Sequence, residues 1–236
     1  MHYITRIKQE VNRFIEPEKA AFSPRFFQAF PGGYGEGDRF IGVRVPPLRK
    51  IARRYFREIS LKETELLLQD PIHEYRLAAL FILCYRFAKA AEPEQEEIVN
   101  LYLNNLAFVN NWDLVDASAP HILGAYLLAR DKEILFQLAA SGNLWRQRVA
   151  VLATLYFIRH NRFIETLQLA RQLLQHEHDL MHKAVGWMLR EIGKRDFKVE
   201  YNFLQEHYRH MPRTMLRYAI EHFDPGLRRR FLEGLV

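Results

Sequence analysis

The feature that most constrains this chain is a recurrence of apolar helical segments at a near-constant period. Arg76-Leu77-Ala78 is followed by Asp113-Leu114-Val115, Arg148-Val149-Ala150, Lys183-Ala184-Val185 and Arg217-Tyr218-Ala219, with first residues 37, 35, 35 and 34 apart. Each triplet sets a polar or charged residue before two that are mostly small or apolar. Each falls early in an apolar helical run, and another helical run separates it from the next. A fixed period of this length is the signature of stacked helix pairs, because one pair alone cannot bury its apolar face. The expected architecture is all-α: a HEAT-like α-solenoid of stacked antiparallel helix pairs, one domain over residues 1–236. A chain of this length is within reach of a single core or two small ones.

The local pattern agrees. Over 45–55, Val45, Leu48, Ile51 and Ala52 form one stripe, while Arg49, Lys50, Arg53 and Arg54 lie off it. Residues 75–88 are apolar nearly all round, which predicts a buried inner helix. Helical spacing recurs over 134–140, 149–158, 163–174 and 181–192. No alternating Val/Ile/Thr run is bounded by Asn-Gly or Asp-Gly, so no strand is expected. Asp70-Pro71, Glu92-Pro93, Ser141-Gly142-Asn143, Met211-Pro212 and Asp224-Pro225-Gly226 punctuate the chain as short helix–helix connections.

Charge gives the repeat a direction. Lys and Arg total 34 against 28 for Asp and Glu, a net charge of +6 that favours a polyanionic partner. Equivalent positions of a solenoid line one face, usually the concave one. Arg76, Arg148, Lys183 and Arg217 occupy four of the five register positions, and such a row in a concave basic groove suits a phosphate backbone. Asp113 at the fifth breaks the row, and stacking alone does not call for an acid there. The lone Cys84 excludes an internal disulfide framework and a cysteine-built zinc finger, and it reads as a small buried hydrophobe. The first residues carry Lys8, Glu10 and Arg13 and no apolar core of a signal peptide. No window reaches the roughly 18 uncharged apolar residues of a spanning helix. A cytoplasmic protein without a membrane partner is expected.

Several stretches bear on chemistry. Pro31-Gly32-Gly33-Tyr34-Gly35-Glu36-Gly37-Asp38 lacks the preceding strand, the Gly-Lys-Ser/Thr and the donors of a phosphate loop, and reads as a flexible connection. In Asn110-Asn111-Trp112-Asp113-Leu114-Val115-Asp116, Trp112 and Asp116 are four apart on one helix face, and either Asn could cap the helix. An indole one turn from a carboxylate suits a cation. The alternative is an acid pair serving the helix dipole with Trp112 in the core, and these residues alone favour it. Trp145 and Arg148 share a face, with Arg148 either a phosphate clamp or a surface ion-pair partner. Lys183 and Trp187 share another, and Gly186 either opens the indole to a ligand or lets helices pack closely. His176, Glu177, His178 and His182 match no recognised ligand spacing and read as a solvated helix end.

Taken together, four stretches resemble the AlkD-like family of bacterial DNA alkylation repair glycosylases, which are HEAT-like all-helical proteins. They are Tyr34-Gly35-Glu36-Gly37-Asp38-Arg39-Phe40-Ile41-Gly42-Val43-Arg44-Val45-Pro46, Trp112-Asp113-Leu114-Val115-Asp116, Trp145-Arg146-Gln147-Arg148 and Ala184-Val185-Gly186-Trp187-Met188-Leu189-Arg190-Glu191, in the family's order. The resemblance implies a catalytic aspartate at Asp116, cleft tryptophans at Trp112 and Trp187, and an arginine near the lesion phosphate at Arg148. Lys183, Arg190, Arg76 and Arg217 are the further expected DNA contacts. Some members carry a second Trp before the cleft Trp, where this chain has Asn111.

The implied reaction is hydrolysis of the N-glycosidic bond of N3- or N7-alkylated purines in duplex DNA, as in base excision repair. Such a base is already cationic and leaves as a neutral molecule, so one carboxylate suffices where other glycosidases use two. Asp116 would stabilise the oxocarbenium-like sugar and position or deprotonate the attacking water. Trp112 and Trp187 would turn indole faces to the cationic sugar, and Arg148 would grip the backbone. No metal, nucleotide or redox cofactor, and no obligate protein partner, is expected. The rival readings are a non-catalytic HEAT-like protein that binds bent, damaged or branched DNA by shape, and a protein-interaction scaffold.

Overall fold

The computed structural model describes residues 2–236, and among them the regular structure is helical, with one isolated bridge between Arg39 and Ile72. The all-α expectation holds, and the helices pack as the stacked pairs that the repeat predicts. No helix among the described residues is long and apolar enough to cross a membrane. The chain divides into two compact units, the first ending at Ile122 and the second running from Leu123 to Val236. The repeat predicted one domain. Stacked pairs touch only their neighbours, and the division falls within a π-helical turn at Pro120–Gly124.

In the first unit the helices are α1 (His2–Asn12), α2 (Pro17–Phe26), α3 (Val45–Tyr55), α4 (Leu61–Leu68), α5 (His73–Phe87), α6 (Glu92–Asn104) and α7 (Trp112–Ser118). α5 packs against α3, α4, α6 and α7. That central position matches its sequence: His73 through Cys84 are all buried. α3 spans the expected 45–55 and starts on the Pro46-Pro47 pair, where prolines are pre-shaped for a first turn. The same preference puts Glu92-Pro93 inside the first turn of α6 instead of in a connection. Ser60 and Glu63 close a capping box at α4.

The second unit contains a single turn α8 (Ala125–Leu127), then α9 (Glu133–Ala140), α10 (Leu144–Arg159), α11 (Ile164–Gln172), α12 (Asp179–Gly193), α13 (Phe197–His207), α14 (Arg213–Ala219) and α15 (Pro225–Glu233). α12 is central here, packed on α10, α11, α13 and α14. Asn143 caps α10 by accepting from the Trp145 and Arg146 amides, and Asp196 and Asp224 cap α13 and α15. The five register residues all fall within the first five positions of their helices, on α5, α7, α10, α12 and α14. The repeat is therefore structural, one such helix per period.

Gly186 shows why α12 and α14 meet so closely. A Cβ there would lie 2.4 Å from the Met215 carbonyl oxygen and 2.6 Å from the Tyr218 Cβ. Of its two sequence readings, helix packing is the one the structure bears out.

Candidate active site

α7 is short and starts on Trp112. Asn111 is its N-cap, with Oδ1 accepting from the Trp112 amide at 2.9 Å, and it is fully buried. Trp112 and Asp116 follow one turn apart and are half-buried. Both line a cavity of about 560 Å³ in the first unit. Phe22, Phe26 and Phe27 form its aromatic wall, Leu77 and Phe81 its apolar floor, and Lys19 and Arg49 also border it. The Trp112 indole stacks on Phe27, with centroids 5.6 Å apart and planes 25° apart, and meets Phe26 edge-on at 6.0 Å. Phe22 and Phe26 are 59% and 51% exposed, so this wall is open to solvent. A carboxylate at the rim of an aromatic cavity fits a planar cation: ring faces attract the charge and the acid neutralises it. Neither Phe22 nor Phe26 was singled out from sequence, although their i, i+4 spacing sets them on one face of α2.

Beneath α7 lies a buried ionic cluster. The His73 imidazole bridges two carboxylates, with Nδ1 2.9 Å from Asp38 and Nε2 2.8 Å from Asp113. Arg76 donates from Nη2 to the other Asp38 oxygen at 2.5 Å and from Nη1 to the Asn110 side-chain oxygen at 2.8 Å. Asn110 and Asn111 each donate to Asp38, at 3.3 and 3.4 Å. Burial alone would lower the His73 pKa, but the charge and hydrogen bond of Asp113, with those of Asp38, raise it to about 9. Burial likewise works against ionised Asp38, and the His73 hydrogen bond and Arg76 charge outweigh it, holding the carboxyl below its usual range.

This cluster corrects one expectation and accounts for an acid that the repeat left unexplained. Arg76 is 5% exposed and turned inward onto Asp38, so its charge serves the interior and not a row of DNA contacts. Asp113, the acid that broke the row, is the partner of His73. The glycine-rich stretch is also not a loose connection. Asp38 anchors it to α5, and the buried Glu74 carboxylate accepts from the amides of Ile41, Gly42 and Val43. At Gly35 a Cβ would meet the Phe27 carbonyl at 2.4 Å and the Asn111 side chain at 2.9 Å, which ties the stretch to the cap of α7.

In the second unit the expected DNA contacts differ in kind. Arg148 is 4% exposed, and its Nη1 donates to the Leu180 carbonyl at 2.6 Å, which fixes the guanidinium against the start of α12. Lys183 pairs with Asp179 at 2.7 Å. Arg190 is half-buried and pairs with Glu221. Arg217 is exposed. Trp187 is half-buried and donates from Nε1 to Glu191 at 3.0 Å. Burial alone would raise the Glu191 pKa, but its hydrogen bonds from Lys194 and Trp187 hold it low.

The histidine run is not a solvated end. His178 caps α12 by accepting from the Leu180 amide, His176 contacts the Gln147 amide oxygen at 2.9 Å, and His182 contacts the His176 carbonyl. Burial, first among the causes, lowers the pKa of His176 and of His178. Among the described residues no group of three or more His, Cys, Asp or Glu is arranged to hold a metal ion. Cys84 is buried as expected, and burial pushes its thiol up to about 12.

Stacked helix pairs, one of them carrying an indole and a carboxylate at an aromatic cavity, define an all-α repeat protein of HEAT-like type. The chain matches the family model described as DNA alkylation repair enzyme over residues 7–223, and it belongs to that family. Among solved structures it is similar to one titled a predicted DNA alkylation repair enzyme from Enterococcus faecalis. That likeness has a TM-score of 0.71 at 17% identity, covering 89% of this chain and 97% of the other. No curated protein matches it.

Proposed function

We propose that this protein is a DNA glycosylase that releases cationic N3- or N7-alkylated purines from duplex DNA. The observation that carries the reading is the pairing of Asp116 with Trp112 at the rim of the aromatic cavity. An alkylated purine leaves as a neutral base, so the chemistry needs stabilisation of a developing sugar cation and a placed water, with no general acid. Asp116 supplies the negative charge and holds the water; Trp112, held flat by Phe27, turns its ring to the cation. Arg148 is as buried as Arg76, but the Leu180 carbonyl holds its guanidinium at the start of α12; it keeps the phosphate-clamp role that the resemblance implies, and Lys183 and Arg217 add backbone contacts. Trp187 takes the role that the resemblance implies, as a second indole face. Arg76 is omitted, and so is Arg190, because their charges are engaged by Asp38 and Glu221 in pairs more buried than the exposed one of Lys183 with Asp179.

The test is incubation with duplex DNA carrying N7-methylguanine, assayed for free base and abasic sites. Release is expected from the intact chain. Asp116→Asn should reduce it by at least 100-fold, the scale of losing one electrostatic stabiliser of a transition state, with duplex affinity unchanged. Duplex binding without release by the intact chain would leave the shape-reading DNA binder as the better description. Release that survives Asp116→Asn would remove Asp116 from the chemistry. Trp187→Ala and Arg148→Ala test their two assignments separately, the first read as turnover and the second as duplex affinity.

A further inference from the structure

The buried cluster beneath α7 takes no part in the chemistry just described, yet it holds the helix that carries that chemistry. Asn110, Asn111 and Asp113 are all tied into it, and Trp112 lies between the last two. A neutral imidazole has one N–H, whereas His73 lies within hydrogen-bond distance of a carboxylate through each ring nitrogen. Only the imidazolium donates to both. With it, the two carboxylates, Asp38 and Asp113, are balanced by two cations, His73 and Arg76. Loss of the His73 proton leaves one ring nitrogen facing a carboxylate oxygen with no hydrogen between them, two acceptors held in contact, a costly state in a low-dielectric interior.

We propose that His73 is a positioning residue: as an imidazolium clamped between Asp38 and Asp113, it sets the direction of α7 and so places Trp112 and Asp116. The groups that face it are few. From the glycine-rich stretch comes Asp38, from α7 Asp113, and from its own helix Arg76, with Nη2 3.5 Å from Nδ1. The Phe27 and Phe40 rings cover it at 5.1 and 4.8 Å and carry no charge. Phe27 is also the ring on which Trp112 stacks, so the clamp and the indole share a neighbour. The His73 pKa near 9 keeps the clamp closed at neutral pH.

The effect on turnover rests on the glycosylase reading, and the effect on Trp112 does not. Two measurements separate them. The first is single-turnover release of N7-methylguanine from pH 6 to 10, corrected for spontaneous loss. The rate should fall on an alkaline limb near pH 9 while duplex affinity stays within twofold of its neutral value. In Asp113→Asn, which removes one of the two charges that raise the His73 pKa, the limb should move to lower pH. In His73→Gln the limb should vanish and the rate should be low throughout. The second is the indole N–H resonance of Trp112 in the free protein, assigned with Trp112→Phe. It should titrate near pH 9 in the wild type, at lower pH in Asp113→Asn, and not at all in His73→Gln.

A Trp112 resonance that is flat from pH 7 to 10, or whose titration survives in His73→Gln, overturns the proposal. So does an active enzyme whose alkaline limb fails to move in Asp113→Asn. Absence of release at every pH, with the Trp112 titration intact, overturns the glycosylase reading and leaves the clamp standing. Should His73→Gln fail to fold, the wild-type and Asp113→Asn titrations still decide.

Discussion

A charged residue in this protein takes its meaning from its partner. Arg76 and Arg217 hold equivalent places in the repeat, but one is buried against Asp38 and the other is exposed. Removing one partner of a buried ion pair leaves an uncompensated charge and typically costs about 3–5 kcal/mol. Arg76→Ala is therefore expected to lower thermal stability strongly, as read by thermal or denaturant unfolding. The same cluster makes stability depend on pH with a definite sign. The folded-state pKa of His73 lies above its unfolded value, so its contribution is full below about pH 6.5, declines above that, and is lost as pH rises through about 9. Asp38 is depressed, so its contribution is present above about pH 3.9 and lost as pH falls through its lower folded value. Melting temperature should accordingly decline between about pH 6.5 and 9, and that decline should shrink in His73→Gln.

Among the elements, α7 and α12 carry the proposed chemistry, α7 held at its first turn and α12 at its middle. α7 is only seven residues long, too short to be stable by propensity, so its direction comes from the cap and the cluster below it. α12 is set by its packing on α14 at Gly186. Because the atom that a new Cβ would strike is a backbone carbonyl, Gly186→Ala cannot be absorbed by a side-chain rotation. A loss of about 1–3 kcal/mol, the usual range for overpacking, is expected in denaturant unfolding, with α7 and its cavity unaffected. Helix positions were readable from sequence: 45–55 is α3 to the residue, and 181–192 lies within α12. The roles of Asp38 and His73 were not. Asp38 lies in an aperiodic stretch 35 residues from His73, and no local pattern connects them.

For the whole molecule, the net charge of +6 remains consistent with a polyanionic partner, but the cations behind it are unequal. Arg76 and Arg148 are internal, some others are paired at the surface, and most face solvent. Neutralising a phosphate contributes about 0.9 to the slope of log affinity against log salt. Arg217→Ala should lower that slope for duplex binding by about this amount, and Arg76→Ala should leave it unchanged wherever the protein is folded. Equal slopes in the wild type and Arg217→Ala would remove Arg217 from the proposed DNA contacts. What the sequence determined by itself was the helical character of the chain, its period and the pairing of Trp112 with Asp116. These follow from 3.6-residue geometry and neighbour-only stacking, which act over one or two helices. The tertiary structure decided which cations are internal, why an acid stands at Asp113, and that the glycine-rich stretch is anchored. Those depend on burial and on partners tens of residues away, where a charge is stable only if the fold brings its counter-charge to it.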